Sequence, residues 1–101
     1  MNEFKCICGA RIGWFNASWP FAFLTVDSKK LKLRVLIIKN YEFLPDQVLS
    51  LKKYVFIPIF GWGVQIEHIV NDYPERIIIW SLSNPQKMID KISQVGFLNK
   101  S

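Results

Sequence analysis

The sequence predicts a mainly β (α+β) domain, a bent antiparallel β-sandwich or barrel of about seven strands capped by one C-terminal α-helix. From residue 11 to residue 82, short apolar runs alternate with turn residues, which is typical of strands. After Leu82 the apolar residues recur at helical spacing instead. The chain has 101 residues, 50% of them hydrophobic and 21% charged, so it can bury one core of ordinary size.

The first three strands are predicted at residues 11–18, 21–26 and 30–38. A corner at Trp19-Pro20 separates the first from the second, and a turn at Asp27 leads into the third. The third strand alternates basic residues with apolar ones, which are Leu31, Leu33, Val35 and Ile37. This alternation indicates a half-buried strand with one face in water.

Four further strands are predicted at residues 41–44, 47–57, 64–70 and 76–82. Turn residues separate them: Asn40, Pro45 with Asp46, the two glycines around Trp62, and the segment 71–74. The last of these strands is almost entirely apolar and contains Trp80, which is expected in the core.

A C-terminal helix is predicted from Pro85 to Val95. Asn84 is suited to the N-cap position, and Pro85 fits the first helical position because its missing N–H needs no partner there. Gly96 is suited to a left-handed C-terminal cap, with Phe97 folding back on the helix. The apolar stripe consists of Met88, Ile89, Ile92 and Val95.

Element order and four stretches, "NASWPFAFLTV", "FGWGVQIEH", "YPERIIIW" and "NPQKMIDKI", carry a resemblance. The chain resembles pleckstrin-homology-like (PH-like) domains, and more closely the small stand-alone bacterial PH-like or GRAM-like proteins. The resemblance covers about residues 11–97, which leaves 1–10 as a short N-terminal segment and 98–101 as a tail. These stretches are packing and turn motifs, so the resemblance implies a fold more than an activity.

Lipid-binding members of that family carry basic residues around the first hairpin. Here no lysine or arginine occurs between Arg11 and Lys29, which argues against specific recognition of inositol phosphates. The basic residues cluster later, at Lys29, Lys30, Lys32 and Arg34, on one face of the third predicted strand. Two interpretations stay open for this face: a solvated surface, or weak attraction to an anionic membrane or nucleic acid.

The residues that could support chemistry are few. His68 is the only histidine, and Val64, Ile66 and Val70 share its side of the strand, which favours a structural role. Asp72 and Glu75 flank a turn and are expected to be solvated there. The motif Gly61-x-Gly63 lacks the third glycine and the helix of a nucleotide-binding loop.

Cys6 and Cys8 form a C-x-C pair that is too closely spaced for an ordinary disulfide. With one histidine in the chain, the pair also falls short of the four ligands of a structural zinc site. We therefore expect two reduced thiols and no metal. Because the other candidate groups also lack the partners that catalysis requires, we expect no catalytic residues, no cofactor and no small-molecule substrate.

Four tryptophans and eight phenylalanines exceed what so small a core is expected to hold, so some should be exposed at an interface. The candidate interaction residues are Trp19, Pro20, Phe21 and Trp62. Phe21 and Phe23 are expected on one face of their strand, with Ala22 and Leu24 on the other.

We expect a non-catalytic binding module that contacts another protein or a second copy of itself. Peripheral membrane association, through the lysine-rich face and the aromatic corner, is the alternative. No sequence-specific nucleic-acid binding is expected, because no stacking aromatic motif accompanies the lysines. Neither a spanning segment nor a signal peptide is recognised, so the expected location is the cytoplasm, or the inner membrane surface under the alternative.

Overall fold

The structure, a computed structural model, describes residues 3–13, 15–36, 39–55, 62–81 and 84–97. Within these ranges the chain forms seven strands, one 3-10 helix and one α-helix. The strands are β1 (Phe4–Ile12), β2 (Phe15–Val26), β3 (Leu31–Val35), β4 (Lys39–Phe43), β5 (Val48–Val55), β6 (Trp62–His68) and β7 (Ile77–Trp80). The 3-10 helix is Pro45–Gln47, and the α-helix, α1, is Pro85–Gln94.

The strands form one antiparallel sheet in the order β4-β3-β2-β1-β7-β6-β5. Two series of hairpins, β1 to β4 and β5 to β7, are joined because β7 pairs with β1. The sheet curls into a half-barrel, and α1 packs on its inner side against β5 and β6. The predicted mainly β fold, a bent antiparallel sheet with a C-terminal helix, is confirmed.

The predicted N-terminal segment 1–10 is wrong for residues 4–10, which belong to β1 at the middle of the sheet. Cys8 and Ala10 are fully buried, because β2 and β7 pair with the two sides of this strand. The apolar run in residues 4–10 is too short to indicate a core strand by itself. Its burial depends on the pairing with β2 on one side and β7 on the other. The predicted tail, 98–101, lies outside the described residues.

The predicted first strand, 11–18, is also wrong, because it spans a hairpin turn. Gly13 adopts φ of 63°, a left-handed conformation that glycine accommodates without steric cost. Its N–H donates to the carbonyl of Arg76 at 2.7 Å, and Ile12 pairs with Phe15 across the turn. The chain therefore reverses direction within the segment that was expected to be one strand.

The predicted corner at Trp19-Pro20 lies inside β2. Cys8 pairs with Ala22 and Ala10 pairs with Ala17, so residues 18–21 of β2 face Gly9 alone on β1. Trp19 and Pro20 are joined by a cis peptide bond within this bulge. Extra residues on one strand bend it, and the corner expected between two strands is a bend within one.

Other turns and strands agree better with expectation. At the predicted turn, Asp27 Oδ1 accepts the N–H groups of Lys29 (2.8 Å) and Lys30 (2.9 Å), and these hydrogen bonds lower the pKa of Asp27. Asn40 lies within β4 and not in a turn. The parts of predicted strands at 37–38, 56–57 and 82 lie outside the described residues, as does Gly61.

The core lies on the inner face of the curled sheet. Alternate residues of the strands point into it, as period-two geometry requires. Its largest fully buried side chains are Leu24, Leu31, Leu33, Phe43, Ile66, Ile77, Ile79, Ile92 and Phe97. No polar or charged residue in the described ranges is buried.

The predicted helix and its caps are confirmed. Asn84 Oδ1 accepts the N–H of Gln86 at 2.7 Å, and Pro85 occupies the first turn. Met88 and Ile92 are buried against the sheet. Gly96 has φ of 89° and ends the helix, and its own N–H donates to the Ser93 carbonyl, which leaves Phe97 buried in the core. In the described ranges, no helix has the length and apolar character needed to cross a bilayer.

Candidate interaction surface

Three apolar side chains on the outer face of β1 and β2 are exposed, and we call them the aromatic face: Ile7, Phe21 and Phe23. Their exposed fractions are 48%, 53% and 37%. Ile7 and Phe23 are directly paired across the two strands, and Phe21 follows on the same side of β2. The expected division of β2 is confirmed, since Ala22 and Leu24 are buried on the opposite side.

Trp19 precedes the aromatic face in the bulge of β2 and is 41% exposed, as the sequence led us to expect. Pro20 beside it is partly buried. Trp62 begins β6, and its side chain lies outside the described part of the structure. Because β1 and β7 lie between β2 and β6, the fold does not bring Trp62 next to Trp19 along the sheet.

Ile7 and Phe23 were not among the candidate residues from the sequence. Ile7 was missed because its segment was placed outside the domain, and Phe23 because it was assigned only to a strand. The alternation in "FKCICGA" was the available signal, since it places Ile7 opposite the inward-pointing cysteines.

Trp80 is partly exposed, so its expected place in the core is wrong. It pairs with Gly9, and its indole ring covers the glycine backbone on the outer side of the sheet. A Cβ at position 9 would lie 2.5 Å from two carbon atoms of the ring. Glycine is therefore required at position 9 by the close approach of Trp80.

The four predicted basic residues have different surroundings. Lys32 and Arg34 point outward from β3, which confirms the half-buried strand, and no described residue forms an ion pair or hydrogen bond with either side chain. Lys30 Nζ lies 3.4 Å from Glu42 Oε1. Lys29 lies in the turn held by Asp27 and is exposed. The free positive charge on this face is therefore concentrated on β3.

A cavity of about 370 Å³ lies on the same outer face, beside the aromatic face. It is lined by Phe23, Thr25, Lys32, Arg34, Asn40 and Glu42. The strand register explains this grouping, because Phe23, Arg34 and Asn40 form one cross-strand row. Thr25, Lys32 and Glu42 form the next row. The two basic residues on β3 are therefore flanked by β2 on one side and by β4, which carries Asn40 and Glu42, on the other.

A second outward group lies at the other end of the sheet. Glu67 of β6 accepts a hydrogen bond from the Ser50 hydroxyl and lies 3.3 Å from Lys52 Nζ. The hydroxyl and then the lysine lower the pKa of Glu67. The negative charge of Glu67 is thus balanced by the neighbouring Lys52.

His68 is fixed by backbone groups. Its Nδ1 accepts the N–H of Val70 at 3.0 Å, which makes Nε2 the donor to the Pro74 carbonyl at 2.9 Å. The ring also lies against Phe43, with ring centroids 5.0 Å apart. Both ring nitrogens are therefore used to hold the turn after β6, in agreement with a structural histidine.

Tyr73 closes the free edge of β4. Its hydroxyl accepts the N–H of Glu42 at 3.1 Å and donates to the carbonyl of the same residue at 3.3 Å. Its ring contacts Tyr41 and Phe43 edge to face. Unpaired backbone groups on an edge strand invite pairing with another chain, and the tyrosine occupies those of Glu42, near the C-terminal end of β4.

Cys6 and Cys8 are free thiols on the inner side of β1. A hydrogen bond from Cys8 lowers the pKa of Cys6, while the same bond and burial raise the pKa of Cys8. Over the ranges that the structure covers, no group of three histidine, cysteine or acidic side chains is placed to hold a metal ion. Asp72 and Glu75 are exposed at the turn where the sequence places them.

Comparison with known proteins identified no relative of the chain. No protein-family model matches the chain, and neither the curated proteins nor the solved structures contain a match.

Proposed function

We propose that the chain is a non-catalytic, PH-like binding module whose aromatic face binds another protein. The observation that carries this proposal is the exposure of Ile7, Phe21 and Phe23 side by side on the outer face of the sheet. Exposed apolar groups that adjoin one another, bordered by polar residues, are typical of protein interaction sites.

The aromatic face has no role in the chain's own core. The inner positions of β1 and β2 already supply that core, through residues such as Cys8 and Leu24. Elsewhere on the outer face the same fold carries polar side chains, for example Thr25 and Lys32. The outer face of this fold is thus compatible with polar residues. The apolar side chains of the aromatic face expose apolar surface to water, and a bound partner would cover that surface.

The PH-like part of the proposal is supported by element order. A series of antiparallel strands forms a bent sheet, and one amphipathic C-terminal helix covers its open side. A location in the cytoplasm is supported by the two free thiols, which suit a reducing compartment. Because fold alone does not determine function, the interaction itself needs a direct experiment.

A protein partner is favoured over a bilayer because of where the aromatic residues lie. Phe21 and Phe23 are within β2, on the face of a sheet, and not at the tip of a loop that could enter a lipid interface. Membrane association through Trp19 and the basic residues stays the alternative, and vesicle sedimentation tests it.

The experiment is photo-crosslinking in the source cells, with p-benzoylphenylalanine at position 21. The matched control carries the same group at position 49, where Leu49 is 55% exposed on β5, far along the sheet order from β2. We expect a discrete crosslinked protein from position 21 and none of that mass from position 49.

The partner is then purified and titrated with the chain. Phe21→Gln should weaken binding by about tenfold or more, as central apolar contacts do, whereas Leu49→Gln should leave it unchanged. Equal effects of the two substitutions would contradict the proposal. So would a crosslink only to lipid, or only to a second copy with dimers in sedimentation velocity.

A further inference from the structure

We infer that the partner presents an acidic peptide segment, and that Lys32 and Arg34 bind its carboxylates while the aromatic face binds its apolar side chains. This inference rests on the proposed function and specifies the chemistry of the partner. It is carried by the cavity between β2, β3 and β4 and by the charges that line it.

The charges around this cavity are unbalanced. Glu42 is its acidic residue, and Lys30 already lies 3.4 Å from that carboxylate. Lys32 lies beside Glu42 in its cross-strand row, but the ion pair of that carboxylate is with Lys30, and neither Lys32 nor Arg34 forms an ion pair with a described residue. Arginine presents a planar pair of N–H donors that matches a carboxylate, and lysine adds a second positive charge one row away.

Apolar and cationic groups adjoin on this face. Phe23 belongs to the aromatic face and also lines the cavity, in the same cross-strand row as Arg34. A segment that places an apolar side chain near Ile7 and Phe23 therefore brings its neighbouring residues over the basic pair. This combination fits a segment in which acidic and apolar residues alternate or adjoin.

A second copy of the chain fits this surface less well. The net charge is +5, and a two-fold contact through this face would bring the same basic strip of both copies into one interface. Addition of a peptide strand at β4 is also disfavoured, because Tyr73 occupies the backbone of Glu42 there. The segment is thus expected to lie across the outer face of the sheet.

The test uses an array of random 12-residue peptides probed with the fluorescently labelled full chain. For the natural sequence, bound peptides should be enriched in aspartate or glutamate adjacent to aromatic or aliphatic residues. Lys32→Gln combined with Arg34→Gln should remove the acidic enrichment and weaken binding of the best peptides by about tenfold. Lys87→Gln, which removes a positive charge from the exposed side of α1, should change neither.

Salt provides a second readout. Raising the salt concentration should weaken the best acidic peptides on the natural chain and have little effect on the double variant. Circular dichroism verifies that each variant is folded. If the bound peptides are enriched only in apolar residues and the double substitution does not change their affinity, this inference is wrong. The proposed function would remain in place.

Other outcomes are equally informative. If no peptide on the array binds the chain, the inference that the partner presents an acidic peptide segment is wrong. It is also wrong if phosphatidylglycerol vesicles bind more tightly than the peptides and the double substitution abolishes that binding. Loss of all peptide binding on Phe21→Gln, with retained acidic preference in the control Leu49→Gln, supports both proposals together.

Discussion

Gly9→Ala should destabilise the protein, although the same change in an ordinary strand would not. Gly9 is outside the left-handed region, so its backbone conformation suits alanine. The added Cβ would lie 2.5 Å from Cε2 and Cζ2 of Trp80 and 2.8 Å from Nε1. Carbon atoms in contact are about 3.5–4.0 Å apart, so the indole ring or β1 must move by about 1 Å.

Two opposing terms set the magnitude. Overpacking of this kind costs about 1–3 kcal/mol. Replacing glycine by alanine restricts the unfolded chain, which contributes about 0.4–1 kcal/mol in favour of folding. The net result is a loss of up to about 2.6 kcal/mol, with about 1 kcal/mol expected for the middle of the two ranges. Each kcal/mol corresponds to a fall in Tm of about 4–8 °C for a domain of this size.

The assay is urea denaturation followed by far-ultraviolet circular dichroism, as a double-mutant cycle with Trp80→Ala. Once the indole is absent, Gly9→Ala should become neutral or stabilising by up to about 1 kcal/mol. The coupling between the two positions should therefore be about 1–3 kcal/mol. A rise in stability on Gly9→Ala alone, or an equal cost in both backgrounds, would refute the assignment of Gly9 to close packing under Trp80.

Three further predictions concern single contacts. Tyr73→Phe should lower the free energy of unfolding by about 0.5–1.5 kcal/mol and increase concentration-dependent association, because it frees the edge at Glu42; unchanged light scattering would argue against edge protection. The pKa of Glu67 is lowered in the folded state, so its contribution to stability is present above its ordinary pKa and is lost as pH falls through the lowered value. Glu67→Gln should accordingly flatten the loss of stability measured by urea denaturation between about pH 5 and pH 3, and an identical pH profile would contradict this. Asn84→Ala should cost about 1 kcal/mol by removing the cap on the Gln86 N–H, while Asn84→Asp should retain it; equal losses in both variants would show that the cap does not depend on the side-chain oxygen.

Local patterns predicted much of the fold. The alternation in β3, the turn at Asp27, and the helix with Asn84 and Gly96 at its ends all depend on residues a few positions apart. Their chemistry acts over the same short range, so one sequence is enough to recognise it. The sequence also predicts the exposure of Trp19, from its place at the expected corner with Pro20, although that corner is a bend inside β2.

The positions of β1 and of the hairpin at Gly13 could not be predicted in this way. β1 becomes the middle of the sheet because β7, more than 60 residues later, pairs with it through Gly9 to Ile12. The alternation in "FKCICGA" is compatible with a strand, but it does not show which strands pair with it on either side. The same pairing brings Trp80 over Gly9 and moves the indole out of the core.

The sequence by itself determined which residues alternate, where the helix begins and ends, and that the chain has more aromatic residues than its core needs. Only the tertiary structure decided which exposed side chains become neighbours on the surface. Ile7 and Phe23 become neighbours through the register of β1 and β2, and Arg34 joins them through the register of β2 and β3. A surface of this kind is assembled from separate strands, and the energy that selects their register comes from the core on the opposite side of the sheet.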